Sequence, residues 1–147
     1  EYLALVRGRV IAGGKIDQPI ARDPANRIRM AVRPGGKEAV THYTVEHRFD
    51  HHTVLKVNLQ TGRTHQIRVH LSYLGWPLVG DRIYAGRQTS TAGLSAAMRE
   101  YLQKFERQAL HARKLSFTHP VGGEILSFSC PLSEDLQLLL ERLRTQS

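Results

Sequence analysis

Leu59-Gln60-Thr61-Gly62-Arg63-Thr64-His65-Gln66-Ile67-Arg68-Val69-His70 is where the chain changes its period. Before it, Leu55, Val57 and Leu59 alternate with Lys56, Asn58 and Gln60, the period of two expected of a strand with one buried face. After it, Ile67, His70, Leu71 and Leu74 fall at i, i+3, i+4 and i+7, one stripe of a helix, with Gly75 placed to end it and Pro77 to prevent its continuation. Gly62 supplies the tight turn between the two. Backbone N–H groups left open at a helix start, together with the helix dipole, favour a phosphate or carboxylate there, and Arg63 and Arg68 add cationic charge with bidentate geometry. On these residues alone, a capped, basic, solvated helix start accounts for the segment equally well. Arg68 weighs against that reading, because it adjoins Ile67 on the core-facing edge and, if partly buried, needs an anionic partner.

Working outward, Ala39 to Phe49 and Thr53 to Leu59 read as strands of a hairpin turning at Asp50-His51-His52. Tyr2-Leu3-Ala4-Leu5-Val6 and Met30-Ala31-Val32 are further strands, separated by turns at Gly13-Gly14 and Pro34-Gly35-Gly36. On the other side, Leu78-Val79-Gly80-Asp81 leads into a small, polar segment, Gln88 to Gly93, expected to be a mobile loop. A helix is predicted over Leu94 to Arg107, followed by strands near Leu110 to Thr118 and Ile125 to Ser129 joined at Pro120-Val121-Gly122-Gly123. The last helix has Ser133 as N-cap, acidic Glu134 and Asp135 in its first turn, and a stripe of Leu136, Leu139, Leu140 and Leu143. The order of elements predicts an α+β fold, a mostly antiparallel mixed sheet with flanking helices.

A chain of 147 residues, 41% apolar, suits one domain spanning 1–147 with an ordinary core. No apolar run approaches the ~20 residues of a membrane-spanning helix, so no membrane association is expected. There is no secretory pattern, and the opening Glu1-Tyr2-Leu3 reads as the middle of a strand, as though cut from a longer polypeptide. The single Cys130 excludes an internal disulfide and a cysteine-based zinc site, is expected to be structural, and suits a reducing, cytoplasmic setting. Lys and Arg outnumber Asp and Glu by 21 to 13, a net charge of +8 that points to a polyanionic partner, nucleic acid before others. Eight histidines invite a metal reading that spacing does not support: His65 and His70 lie about 500° apart around a helix. No metal site is expected.

The run 59–70, with Pro77-Leu78-Val79-Gly80-Asp81 and Tyr84, closely resembles the RluA-type pseudouridine synthases, in particular the branch acting on large-subunit ribosomal RNA. The likeness extends through Tyr2 to Val6, Met30 to Val32, Gly36-Lys37, Ala39 to Tyr43, and Gln108 to Ala112 with Leu115. It implies a uridine isomerase that needs no cofactor and no obligate protein partner, working through one aspartate in an Arg-Leu-Asp-x-x-Thr-Ser-Gly motif. None of Asp17, Asp23, Asp50, Asp81 or Asp135 stands in that context, so the chain is expected to be the C-terminal portion of the catalytic domain, inactive alone. By the same resemblance Arg68 matches the arginine that pairs with the aspartate, and Tyr2 the tyrosine that stacks on the flipped base. Ile67 matches the apolar lining of the uracil pocket, while Thr61 to Gln66, with Arg63, Thr64, His65 and Gln66 among them, would lie against RNA, and Asp81 would be structural. Such types fit the chemistry: a flipped base needs an aromatic or apolar platform, and an ionised aspartate needs a fixed cation. Tyr2 taken alone is also an ordinary half-buried strand tyrosine. The rival reading is a non-catalytic RNA-binding module. A basic ribosomal structural protein is weaker, since long Lys/Arg tails are absent from the sequence.

Overall fold

A computed structural model of the chain describes residues 1–86 and 93–146. Residues 88–92 of the loop expected at Gln88 to Gly93 lie outside the described residues, as does Arg87. Strands β1 (Tyr2–Arg7), β2 (Gly14–Asp17), β3 (Ile20–Arg22), β4 (Met30–Val32), β5 (Val40–Arg48) and β6 (His52–Leu59) precede helix α1 (Gln66–Tyr73). Helix α2 (Ala96–Lys104), strands β7 (Leu110–Ala112), β8 (Lys114–Thr118) and β9 (Ile125–Ser129), and helix α3 (Glu134–Gln146) follow. A five-stranded sheet runs β2-β5-β6-β1-β7, and β3-β4 and β8-β9 form two-stranded ribbons; all pairings between these strands are antiparallel. The α+β architecture expected from the sequence is the one observed.

The sheet is covered on both faces, which the reading of β6 as a half-buried strand did not foresee. Along β1, Ala4 and Val6 pack with Leu55, Val57, Ile67 and Leu71, placing α1 on one face. Leu5 and Val54 point the other way, into a cluster with Met98 of α2 and Leu136, Leu139 and Leu143 of α3. The central strands therefore bury residues of both parities. Ser95 caps α2, its hydroxyl accepting the Met98 N–H at 3.1 Å.

Gly75 ends α1 as expected. Its φ of 88° is the left-handed conformation, the Gly75 N–H donates to the Ser72 carbonyl at 2.9 Å, and the Trp76 N–H donates to the Leu71 carbonyl at 2.9 Å. Those two bonds satisfy carbonyls that a helix terminus otherwise leaves open. At the other end the left-handed residue is His65, with φ 56°, while Gly62 has open space around it.

Beyond α1 the chain returns to the edge of β1. Arg7 N–H donates to the Pro77 carbonyl and Val79 N–H to the Leu5 carbonyl, each at 3.0 Å. Gly80 (φ 78°) then passes so close to the 105–107 segment that a Cβ would lie 2.0 Å from the Arg107 carbonyl oxygen. Only glycine fits such an approach.

The segment 110–118, expected as one strand, divides at Arg113. There the Arg113 and Lys114 N–H groups both donate to the Glu1 carbonyl, and the Arg113 guanidinium binds Glu1 and Glu46. The β8-β9 ribbon leaves the main sheet with Leu115, Phe117, Leu126 and Phe128 on one face, and Phe117 and Phe128 stack with ring centroids 5.9 Å apart. Leu115 and Phe128 remain 62% and 57% exposed, an unusually open apolar face. Cys130, expected to be structural, is exposed and unpaired in any disulfide. No helix among the described residues is long and apolar enough to cross a membrane.

Candidate active site

The turn into α1 is held from within. Val40 N–H donates to Thr61 Oγ1 at 2.9 Å, and Thr61 Oγ1 donates to Gln66 Oε1 at 2.8 Å. Gln66 Oε1 also accepts the Arg63 N–H, while Gln66 Nε2 donates to the Val40 carbonyl and to Thr41 Oγ1. The network continues into His70, which is fully buried. Its Nε2 lies 2.9 Å from the Gln18 carbonyl and must carry the proton, so Nδ1 accepts from Thr41 Oγ1 at 2.7 Å. Burial lowers the His70 pKa, favouring the neutral ring this arrangement requires. Gln66, assigned by resemblance to the RNA side, is 2% exposed and directed into the protein, so it can serve an interface only by shaping the turn.

Arg63 and Thr64 stand on the outside of that turn. Arg63 Nε donates to the Glu38 carbonyl at 2.7 Å, fixing the guanidinium near Lys37. With Arg22, Lys37, Gly36 and Gly62 they line a groove of about 470 Å³ between the β3-β4 ribbon and the start of α1. A groove with three cationic side chains and glycine backbone in its wall suits an extended polyanion. Arg27 and Arg82 are exposed, whereas Arg29 is only half exposed.

Arg68 projects from the next turn of the helix into a different opening. Its Nε donates to Asp81 Oδ2 at 2.8 Å and its Nη2 to Asp81 Oδ1 at 3.0 Å, a bidentate pair. The Asp81 side chain is fully buried and that of Arg68 11% exposed. The anionic partner that a half-buried Arg68 requires is thus Asp81. Asp81 Oδ1 also accepts the Ile83 and Tyr84 N–H groups, each at 3.2 Å.

Tyr84 closes this corner. The Arg68 guanidinium lies 4.8 Å from its ring centroid and that of Arg29 5.2 Å. Its hydroxyl accepts the Met30 N–H at 2.9 Å and meets His65 Nδ1 at 2.7 Å. Burial, then the nearby Arg68 cation, lowers the His65 pKa, with Asp81 opposing. A neutral His65 accepts the Tyr84 proton at Nδ1, leaving the Tyr84 oxygen free to accept from Met30. Sequence reasoning gave no role to Tyr84, and gave Arg29 only a share in a basic surface. A signal for Tyr84 existed in Asp81-x-x-Tyr84, a spacing that brings both to one side of a turn, but the contact of Arg29 with Tyr84 spans 55 residues and carried none.

Ile67 is buried in the cluster on the α1 face, and half-buried Tyr2 packs against that cluster. Leu110 packs on the same cluster and also lines the cleft of about 390 Å³ that Arg68, Asp81 and Arg82 border. Leu110 thus joins the Arg68 cleft to the cluster on which Tyr2 packs, while Arg63 and Thr64 belong to the separate basic groove.

Residues 1–73 match the family described as RNA pseudouridylate synthase. The chain is 51% identical over 144 residues to the ribosomal large subunit pseudouridine synthase D of Vibrio parahaemolyticus and 47% identical over 144 residues to that of Escherichia coli K12. In both comparisons 98% of this chain is aligned, and it spans 44% of the relative's length. Among solved structures, human RNA pseudouridylate synthase domain containing 1 superposes over 97% of this chain and 64% of its own, with a TM-score of 0.70 at 27% identity. Domain containing 4 covers 97% and 61%, with a TM-score of 0.71 at 25% identity. The sequence likeness runs through the whole site and the fold carries it in the same order: this chain belongs to the RNA pseudouridylate synthase family.

Proposed function

We propose that the chain is the C-terminal portion of the catalytic domain of an enzyme that isomerises uridine to pseudouridine in large-subunit ribosomal RNA, acting in the cytoplasm without an obligate protein partner. The observation that carries this reading is Arg68, a half-buried cation whose guanidinium is fixed at one edge and which borders a cleft lined by Leu110, a residue that packs on the same hydrophobic cluster as Tyr2. In this reading Arg68 holds the nucleophilic aspartate of the full protein ionised and aimed. A carboxylate with a fixed cation keeps its charge at neutral pH, as attack at the sugar or base demands. Tyr2 stacks on the flipped uracil and Ile67 excludes water behind it. Arg63, Thr64 and the surrounding groove hold the RNA backbone, with His65 at its margin. The apolar face of the β8-β9 ribbon packs against the rest of the catalytic domain.

The 147-residue chain is expected to form no pseudouridine from ribosomal RNA transcripts, and the full protein to form it, by nucleoside analysis. Product from the chain alone would assign the chemistry to one of its own carboxylates and sink the mechanism. Full protein that binds RNA without product would favour the binding-module reading instead.

A further inference from the structure

We propose that Asp81 and Tyr84 are positioning residues for Arg68, fixing one edge of its guanidinium permanently so that the other end serves the reaction. This rests on the reading of Arg68 as the active-site cation. A guanidinium offers five N–H donors in a rigid plane. Asp81 takes the edge formed by Nε and Nη2, and the Tyr84 ring covers the plane at 4.8 Å from its centroid. Among the described residues Nη1 has no hydrogen-bond partner, so that end is the one a second anion can reach.

Asp81 itself cannot swing. Its side chain is fully buried, both oxygens are engaged by Arg68, and Oδ1 additionally accepts two backbone N–H groups. The preceding Gly80 is wedged against the Arg107 backbone. Tyr84 is equally restrained, by Met30 through its hydroxyl and by Ser72, whose Oγ donates to the Tyr84 carbonyl at 2.9 Å. Two guanidinium groups over one ring repel each other, an arrangement that core packing alone does not require and that the Asp81 carboxylate offsets. The fold thus invests a buried ion pair and a ring in the orientation of one side chain.

The test uses the full protein, comparing the parent with Arg68→Ala, Asp81→Asn, Tyr84→Leu and Tyr84→Phe. Single-turnover pseudouridine formation and equilibrium binding of the RNA substrate are measured for each. Asp81→Asn keeps the shape and removes the charge, and should lower the single-turnover rate by about thirtyfold while RNA affinity stays within about threefold. Tyr84→Leu should lower the rate by about tenfold with the same near-constant affinity, and Tyr84→Phe, which keeps the ring, should lose less than Tyr84→Leu. Parental rates in folded Asp81→Asn and Tyr84→Leu, with Arg68→Ala inactive, would overturn this inference and leave the role of Arg68 standing. Affinity falling in step with rate would make both residues ordinary supports of the RNA surface, and would also overturn it. An Arg68→Ala protein that keeps its rate removes the active-site reading and this inference together. Should Tyr84→Leu not fold, Asp81→Asn decides alone.

Discussion

Taking the Arg68 and Asp81 charges out of water costs several kcal/mol per ion, and their bidentate contact offsets that only while both are present. In the 147-residue chain, Asp81→Ala should therefore lower the unfolding free energy by about 3–5 kcal/mol, more than Asp81→Ala in an Arg68→Leu background. Urea denaturation of the four proteins of that cycle checks it, and strictly additive losses would count against the coupling. His52 makes a second prediction. It is 5% exposed, its Nδ1 has no hydrogen-bond partner among the described residues, and burial, with His51 and Arg7 nearby, lowers its pKa from 6.5 to about 4. Below pH 6.5 the unfolded chain binds a proton that the folded chain refuses until about pH 4, so stability falls with pH across that window, by about 3 kcal/mol. Denaturation curves between pH 7.5 and 4.5 should show a shallower decline for His52→Leu than for the parent; identical slopes would exclude His52 as the source. The need of Arg68 for an anion was legible from its place beside Ile67. Asp81 as the answer was not, because the two are joined across the Gly75 and Pro77 turn, where helical periodicity gives no register.

The elements that frame the site were legible where period and punctuation agreed. The switch from period two to 3.6 located α1, and Gly75 marked its end, because a left-handed residue after a helix is most easily glycine. At the start of α1, where Gln66 ties the turn to β5, the left-handed residue is His65, which no glycine announced. Gln66→Ala leaves the Arg63 N–H, the Val40 carbonyl and two threonine hydroxyls short of a partner, and should destabilise the chain by about 3 kcal/mol. Hydrogen exchange would show it locally, as faster exchange at the Arg63 amide while amides of β1 slow or speed only with global stability. Alternation in β6 identified a strand but understated its burial, since α2 and α3 cover the second face and nothing in 52–59 announces them. The break at Arg113 follows from Glu1, more than a hundred residues earlier, and lay beyond any local pattern.

Across the whole molecule, Arg22, Lys37 and Arg63 stand in the wall of the groove, Arg82 borders the Arg68 cleft, and Arg27 is exposed. RNA affinity should fall steeply with added salt, and Lys37→Ala or Arg63→Ala should each reduce the slope of log affinity against log salt by about 0.7–0.9 if it removes one phosphate contact. Filter binding between 50 and 300 mM salt, on the order of the range where such slopes are read, measures it; an unchanged slope in both variants would move the RNA face elsewhere. Gly80 has a consequence of another kind. Its backbone presses on the Arg107 carbonyl oxygen, where any Cβ would sit at 2.0 Å, and it immediately precedes Asp81. Every missense change in its codon brings a side chain into a space that has none, and so displaces the carboxylate on which Arg68 rests. Across lineages the codon is expected to drift only among its synonyms, while that of exposed Arg82, two residues on, should be far freer to wander.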